Sequence, residues 1–202
     1  MRNTRPAVVL ASGSKIRRQL LENAGVAFTV DPADIDEPAA VLELKRTERA
    51  VPQLARKLAA LKAEAVSRRR PDALVIGADQ MLELDGEILT KASSADTARA
   101  VLMRLRGRDH HPHSGVAIAQ AGRTIWSHVG SASMRVRPFT ESWLDSYVSR
   151  LSDILTTTVG AYQLEGEGIQ LFERIDGDYF TILGLPLLEL LAELRRHGVL
   201  EE

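Results

Sequence analysis

The sequence predicts an α/β protein built on an elongated mixed β-sheet flanked by helices. Three observations lead there. Continuous apolar, β-branched runs at 6–11 and 73–79 read as strands buried on both faces. Amphipathic helical segments separate them along the first half of the chain, which is the alternation of parallel α/β units. The second half instead carries hairpin signals, Asp85-Gly86 and Ala121-Gly122, which join antiparallel arms.

Taken in order, Pro6 to Ala11 is the first strand, and Ser14 caps a helix over about 15–24. Ile16, Leu20, Leu21 and Ala24 share its apolar face, and Gly25 ends it. "VAFTV" reads as a second strand and "DPADIDEP" as an acidic loop closed by Pro38. A long helix over about 48–69 presents Val51, Leu54, Ala55, Leu58, Leu61, Ala65 and Val66 as one stripe. Lys62 falls in the middle of that stripe, so its ammonium either snorkels outward or meets a buried anion.

"ALVIGAD" then reads as a buried strand ending on Asp79. A two-residue turn at Asp85-Gly86 would pair residues whose numbers sum to 171, setting Gln80 opposite Lys91. Residues 93–107 form a capped helix, 113–139 two long strands, and 140–151 a further helix. The glycine-rich stretch 160–186 mixes turns and short strands, and Leu187 to His197 is the last helix, with Gly198 beyond it. No linker or repeat divides the chain, so residues 1–202 read as one domain.

Composition narrows the function classes. A net charge of −1 gives no support for a nucleic-acid or membrane-surface binder. The absence of cysteine excludes disulfides, thiolate metal sites and cysteine nucleophiles. The apolar run near the N-terminus is too short for a signal segment and no run spans a bilayer, so the expectation is a cytoplasmic protein.

Three groups of residues could carry chemistry. Strand, then Ser12-Gly13-Ser14, then a helix start is a geometry that binds phosphate through free N–H groups and the helix dipole. Lys15, Arg17 and Arg18 crowd that same start, where cations are disfavoured unless an anion is present. An ordinary capped turn with solvated arginines is the alternative. Asp34, Asp36 and Glu37 follow the second strand and Asp79 ends a buried one; hard oxygens of this kind hold Mg²⁺ or Mn²⁺ or orient water. Lys62 and Lys91 are placed by pattern where inward ammonium groups would balance phosphate. "HHPH" (110–113) lacks the spacing of a metal site.

In this order and spacing, "LASGS" with Arg17, "DIDE", "LAALKA", "VIGADQ", "LDGEILTK", "GAYQLEG" and "GDYFTILGLPL" resemble the Maf family of nucleotide pyrophosphatases over nearly the whole chain. The resemblance implies hydrolysis of nucleoside triphosphates to the monophosphate and pyrophosphate with a divalent cation, Mg²⁺ or Mn²⁺. It also implies a fold like that of inosine triphosphate pyrophosphatases, two lobes around a cleft, and a homodimer. Ser12 and Arg17 become phosphate-loop contacts, with Ser14 beside them. Glu37 and Asp79 become the metal-holding acidic pair, with Asp79 as proton acceptor, and Lys62 and Lys91 their basic partners.

Three family positions track the base. The dTTP/UTP branch carries Arg, Thr and Gln there, and the 7-methyl-GTP branch carries Trp, Gln and Glu. Gln80 and Glu165 match the second branch, while Ile16 matches neither. Lys15 stands where the family has proline, and Thr90 and Ala92 replace glycine and proline around Lys91. A dTTP/UTP enzyme, a division-arrest regulator that binds nucleotides without turnover, and a phosphoester hydrolase are the competing readings.

Overall fold

The computed structural model describes residues 6–201. Strand β1 (Val8–Leu10) is fully buried and leads through Ala11–Ser14 into helix α1 (Lys15–Asn23). Ser14 is the N-cap and Gly25, at φ 70°, takes the left-handed turn after the helix. β2 (Thr29–Val30) is shorter than its apolar run, because only two residues pair with β1.

Helix α2 (Glu37–Leu44) occupies part of the segment read as loop. Asp36 accepts from the Ala39 N–H at 2.9 Å as its N-cap, and Pro38 sits in its first turn. A proline, lacking its N–H, suits a helix start as well as a loop end. Helix α3 (Val51–Arg69) follows. Its buried face is rotated from the expected stripe: Leu61 is 37% exposed, whereas Ala59 and Ala63 are 0% exposed.

Two glycines explain that rotation. A Cβ on Gly77 would lie 2.2 Å from the Ala59 carbonyl oxygen, and one on Gly115 would lie 2.3 Å from that of Ala55. The helix backbone therefore rests directly on the strands, and only alanines fit along the seam. Val9, Ala11, Ala59, Ala63, Val66, Val75, Ala117 and Ala119 form this core.

β3 (Leu74–Leu84) does not end at Asp79 but runs on into the hairpin with β4 (Glu87–Leu89). No turn residue intervenes before Asp85, so the buried strand and the first hairpin arm are one element. Asp85 and Gly86 have φ 50° and 82°, both positive as a type I′ turn requires. Leu84 pairs with Glu87 and Leu82 with Leu89, the register expected from the turn. It stops there. Gln80 is not opposite Lys91; Lys91 bridges Val159 instead, because Ala92 is buried and Ser94 already caps the next helix.

That helix, α4 (Ala95–Leu105), precedes strands β5 (Asp109–Gln120), β6 (Arg123–Ser131) and β7 (Ser133–Val136). Helix α5 (Glu141–Leu155), a 3₁₀ turn at Glu167–Leu171 and β8 (Phe172–Asp176) come next. The short helix α6 (Tyr179–Ile182), unforeseen in the glycine-rich stretch, is capped by Asp178, and α7 (Leu187–Arg196) closes the chain. The sheet order is β2-β1-β3-β5-β7-β8, with β4 on β3 and β6 on β5. β1 is parallel to both β2 and β3, while the β3/β4, β5/β7 and β7/β8 pairs are antiparallel, so the sheet is mixed as expected.

The described chain divides into two compact units. One holds the residues up to Gln80, His113–Gly130 and those from Asp178; the other holds Met81–Pro112 and Ser131–Gly177. No described helix is long and apolar enough to cross a membrane.

Candidate active site

The first unit gathers the loop, the carboxylates and the buried lysine. At the β1–α1 turn, the Ser14 side chain accepts the Arg17 N–H at 3.4 Å, and the Ser14 N–H donates to Ser12 Oγ at 3.3 Å. No acidic residue occupies the first turn of α1. The crowded cations separate. Arg18 is exposed and pairs with Glu22 one turn on, at 2.8 Å, and Lys15 is exposed. Arg17 turns inward.

Its guanidinium donates from Nε to the Gly184 carbonyl at 2.8 Å, and from Nη1 to the Ala78 carbonyl at 3.0 Å and Ser12 Oγ at 3.2 Å. Burial lowers its proton affinity, against the attraction of Asp79 and Glu37. Arg17 thereby ties the loop, strand β3 and the chain after α6 together.

Lys62 lies about one turn beyond Ala59 and directly before Ala63, the two residues that Gly77 meets, which explains its reach. With α3 resting on β3, the ammonium lies 2.7 Å from Asp79 Oδ1 and 2.9 Å from Glu37 Oε1. Lys62 and Asp79 are each 7% exposed, so the snorkelling alternative fails and the buried-anion one holds. Burial raises the Asp79 pKa and Glu37 adds to the rise, while Lys62 and Arg17 oppose it. Such a carboxylate holds a proton more readily than a solvated one, which favours proton acceptance.

Glu37 is the first residue of α2, an anion at a helix N-terminus, and its side chain is 52% exposed. Asp36 is used as that helix's cap, Asp31 pairs with Arg69 and Arg70, and Asp34 is exposed. Gln80, half-buried next to Asp79, donates its amide to the Ile182 carbonyl at 2.8 Å. Ile16 is half-buried on α1. Lys91 and Glu165 belong to the second unit and are exposed.

Among the described residues no group of three or more His, Asp or Glu is placed to cage a metal ion. Glu37 and Asp79 still have the donor chemistry of a hard-cation site: both carboxylates reach the same ammonium, that of Lys62, and Mg²⁺ is commonly held by one or two carboxylates with phosphate oxygens and water completing the shell. The "HHPH" histidines lie in β5, where His110 is fully buried against Tyr162.

Sequence reasoning missed the carbonyls of Thr181, Ile182 and Gly184 and the hydroxyl of Ser114, which bonds Thr181 O at 2.7 Å. Backbone acceptors leave no residue-type signal, and only the "GDYFTILGLPL" string marked their place.

Fold and site together define a mixed α/β protein with a strand–serine loop–helix turn beside a lysine-bridged carboxylate pair. The chain belongs to the Maf-like proteins, whose family model matches residues 7–197. It is 51% identical over 193 residues to a nucleoside triphosphate pyrophosphatase of Caulobacter vibrioides, covering 96% of each chain. It is 47% identical over 194 residues to a 7-methyl-GTP pyrophosphatase of Brucella abortus, covering 96% of this chain and 98% of that one. A solved HAM1 protein of Coxiella burnetii aligns with a TM-score of 0.43 at 14% identity, over 66% of this chain and 74% of that one.

Proposed function

We propose that this chain hydrolyses nucleoside triphosphates to nucleoside monophosphate and pyrophosphate. One observation carries the reading: a buried Asp79 of raised proton affinity, held by Lys62 and facing Glu37. Similarity to relatives bearing pyrophosphatase names supports it.

In the proposed reaction, Asp79 accepts the proton of a water whose oxygen attacks the α-phosphorus in line. The bond from that phosphorus to the α,β-bridging oxygen breaks, and pyrophosphate leaves. Lys62 stabilises negative charge developing on phosphate oxygens, as a preorganised cation in a dry site does. Ser12 and Ser14, with the N–H groups opening α1, offer the phosphate-binding turn. Glu37 and Asp79 would hold Mg²⁺ or Mn²⁺, which neutralises phosphate charge when bound. Arg17 and Lys91 are assigned phosphate contacts by the resemblance; the Arg17 Nε and Nη1 donors are already spent on Gly184, Ala78 and Ser12.

For the base, Glu165 supports 7-methyl-GTP: a carboxylate accepts from the N1–H and 2-amino group of guanine and favours a cationic ring. The similar identities to relatives of both names leave this choice to the residues. A panel of nucleoside triphosphates including 7-methyl-GTP, with Mg²⁺ or Mn²⁺, tests the proposal by pyrophosphate release. Release from at least one member is expected, and orthophosphate as the only product overturns it. Glu165→Gln should lower the 7-methyl-GTP to UTP ratio, and an unchanged ratio refutes the base assignment. Sedimentation of the purified chain tests the homodimer that the resemblance implies.

A further inference from the structure

The four-residue helix α6 and the turn after it present carbonyls to the neighbouring elements, and Thr181 O already takes the Gly184 N–H at 3.0 Å. Side chains from three separate elements of the same unit take them up. Ser114 of β5 donates its hydroxyl to Thr181 O at 2.7 Å, Gln80 of β3 donates to Ile182 O at 2.8 Å, and Arg17 of α1 donates to Gly184 O at 2.8 Å. Gln80 Nε2 also lies 3.5 Å from Thr181 O, so Ser114 and Gln80 approach one carbonyl. Ser114 is 0% exposed and Thr181 is 3% exposed.

β6 closes on the same residue. A Cβ on Gly130 would stand 2.5 Å from Thr181 Oγ1 and 2.9 Å from its Cγ2. Ser114 thus holds the Thr181 carbonyl, while Gly130 lies against the Thr181 side chain. Asp178 completes the frame by accepting the Thr181 N–H at 2.7 Å.

The consequence is a relay. Because Gln80 Nε2 donates to the Ile182 carbonyl, the orientation of the amide follows the position of α6, with its oxygen beside Gly184. Arg17 is oriented by the same turn, three residues on. We propose that Ser114 is a positioning residue of the nucleotide site, acting through the Thr181 carbonyl on the side chain of Gln80. This rests on the proposed pyrophosphatase reading for its kinetic test and on the geometry alone for its spectroscopic one.

Ser114→Cys keeps the side-chain shape at a slightly larger volume but loses the strong donor, Ser114→Thr keeps the hydroxyl, and Gly130→Ala presses on the Thr181 side chain. Ser114→Cys and Gly130→Ala should each lower kcat/KM for the preferred nucleotide about tenfold, as small misplacement of site groups does. Ser114→Thr should recover most of the loss. In a cycle with Gln80→Ala, the Ser114→Cys penalty should shrink to about twofold or less, because the group it positions is gone.

Wild-type kinetics in Ser114→Cys, or penalties that multiply with Gln80→Ala, overturn the inference. In the ligand-free protein, the Gln80 side-chain amide proton signals should shift in Ser114→Cys. Unmoved signals also overturn it, whereas a wild-type chain that releases no pyrophosphate overturns only the proposed activity.

Discussion

Lys62 and Asp79 in the first unit, and His110 and Tyr162 in the second, are all buried titratable groups with a partner under 3 Å. The first pair sets opposite charges together: an ammonium lies against a carboxylate whose pKa burial raises and Lys62 lowers, with Glu37 alongside. The second pair avoids charge. Burial, reinforced by His111, lowers the His110 pKa to about 4, and burial raises that of Tyr162, so both are neutral near pH 7. Phe172 packs against both rings. Isolated charges are costly to bury and normally neutralise unless paired. A retained buried ion pair is therefore the better pointer to chemistry, and a neutralised pair to packing.

The largest expected effect breaks the charged cluster. Asp79→Asn should reduce kcat for pyrophosphate release by about 10²–10⁴-fold, the range of a lost general base. Steady-state kinetics at saturating nucleotide check it, and a rate within a few fold of wild type removes Asp79 from that role.

Next is Gly77→Ala, which forces a Cβ against the Ala59 carbonyl and the Ala63 nitrogen, 2.2 and 2.6 Å away. Backbone on the other side cannot move like a flexible side chain, so the cost should be about 3 kcal/mol, the upper end for overpacking. Urea unfolding measures it. A neutral result would mean that α3 does not depend on this close approach to seat Lys62.

The neutral cluster has its own signature. Unfolded, the His110 ring titrates near 6.5; folded, it titrates at about 4. Between those values the unfolded chain binds the extra proton, so the contribution is whole above about pH 6.5 and is lost as pH falls towards 4. It amounts to at most about 3 kcal/mol. His110→Phe should flatten this part of the stability–pH curve while leaving turnover near pH 7.5 unchanged. A curve parallel to wild type would show that His110 does not titrate between the two states.

The smallest effect belongs to a charge held only at the surface. Arg18→Ala removes an exposed pair with Glu22 and should shift stability by less than about 0.5 kcal/mol, with turnover unchanged. A loss of turnover would return Arg18 to the group of cations serving the β1–α1 turn.

Local rules made much of the frame legible. The Asp85-Gly86 turn sets its register because two positive-φ residues leave a hairpin one way to pair. The 100° advance of a helix set Lys62 within the apolar stripe, but not whether its ammonium snorkels outward or meets an anion. Other features depended on competing local signals. Pro38 serves a loop end or a helix start equally well, so α2 and the role of Asp36 as its cap were hidden. The continuation of β3 past Asp79 was missed because its apolar run and the hairpin arm were read as separate elements.

By itself, then, the sequence determined which residues could carry the chemistry: a serine-flanked turn, isolated carboxylates, and a lysine within an apolar stripe. Periodicity and turn chemistry are short-range, and they are written in neighbouring residues. Only the tertiary structure decided what those residues touch. Arg17 meets a carbonyl 167 positions away, and Lys62 reaches Asp79 because glycine and alanine let two backbones approach. Carbonyl acceptors are the same for every residue type, and the distance between packed backbones is a property of the fold.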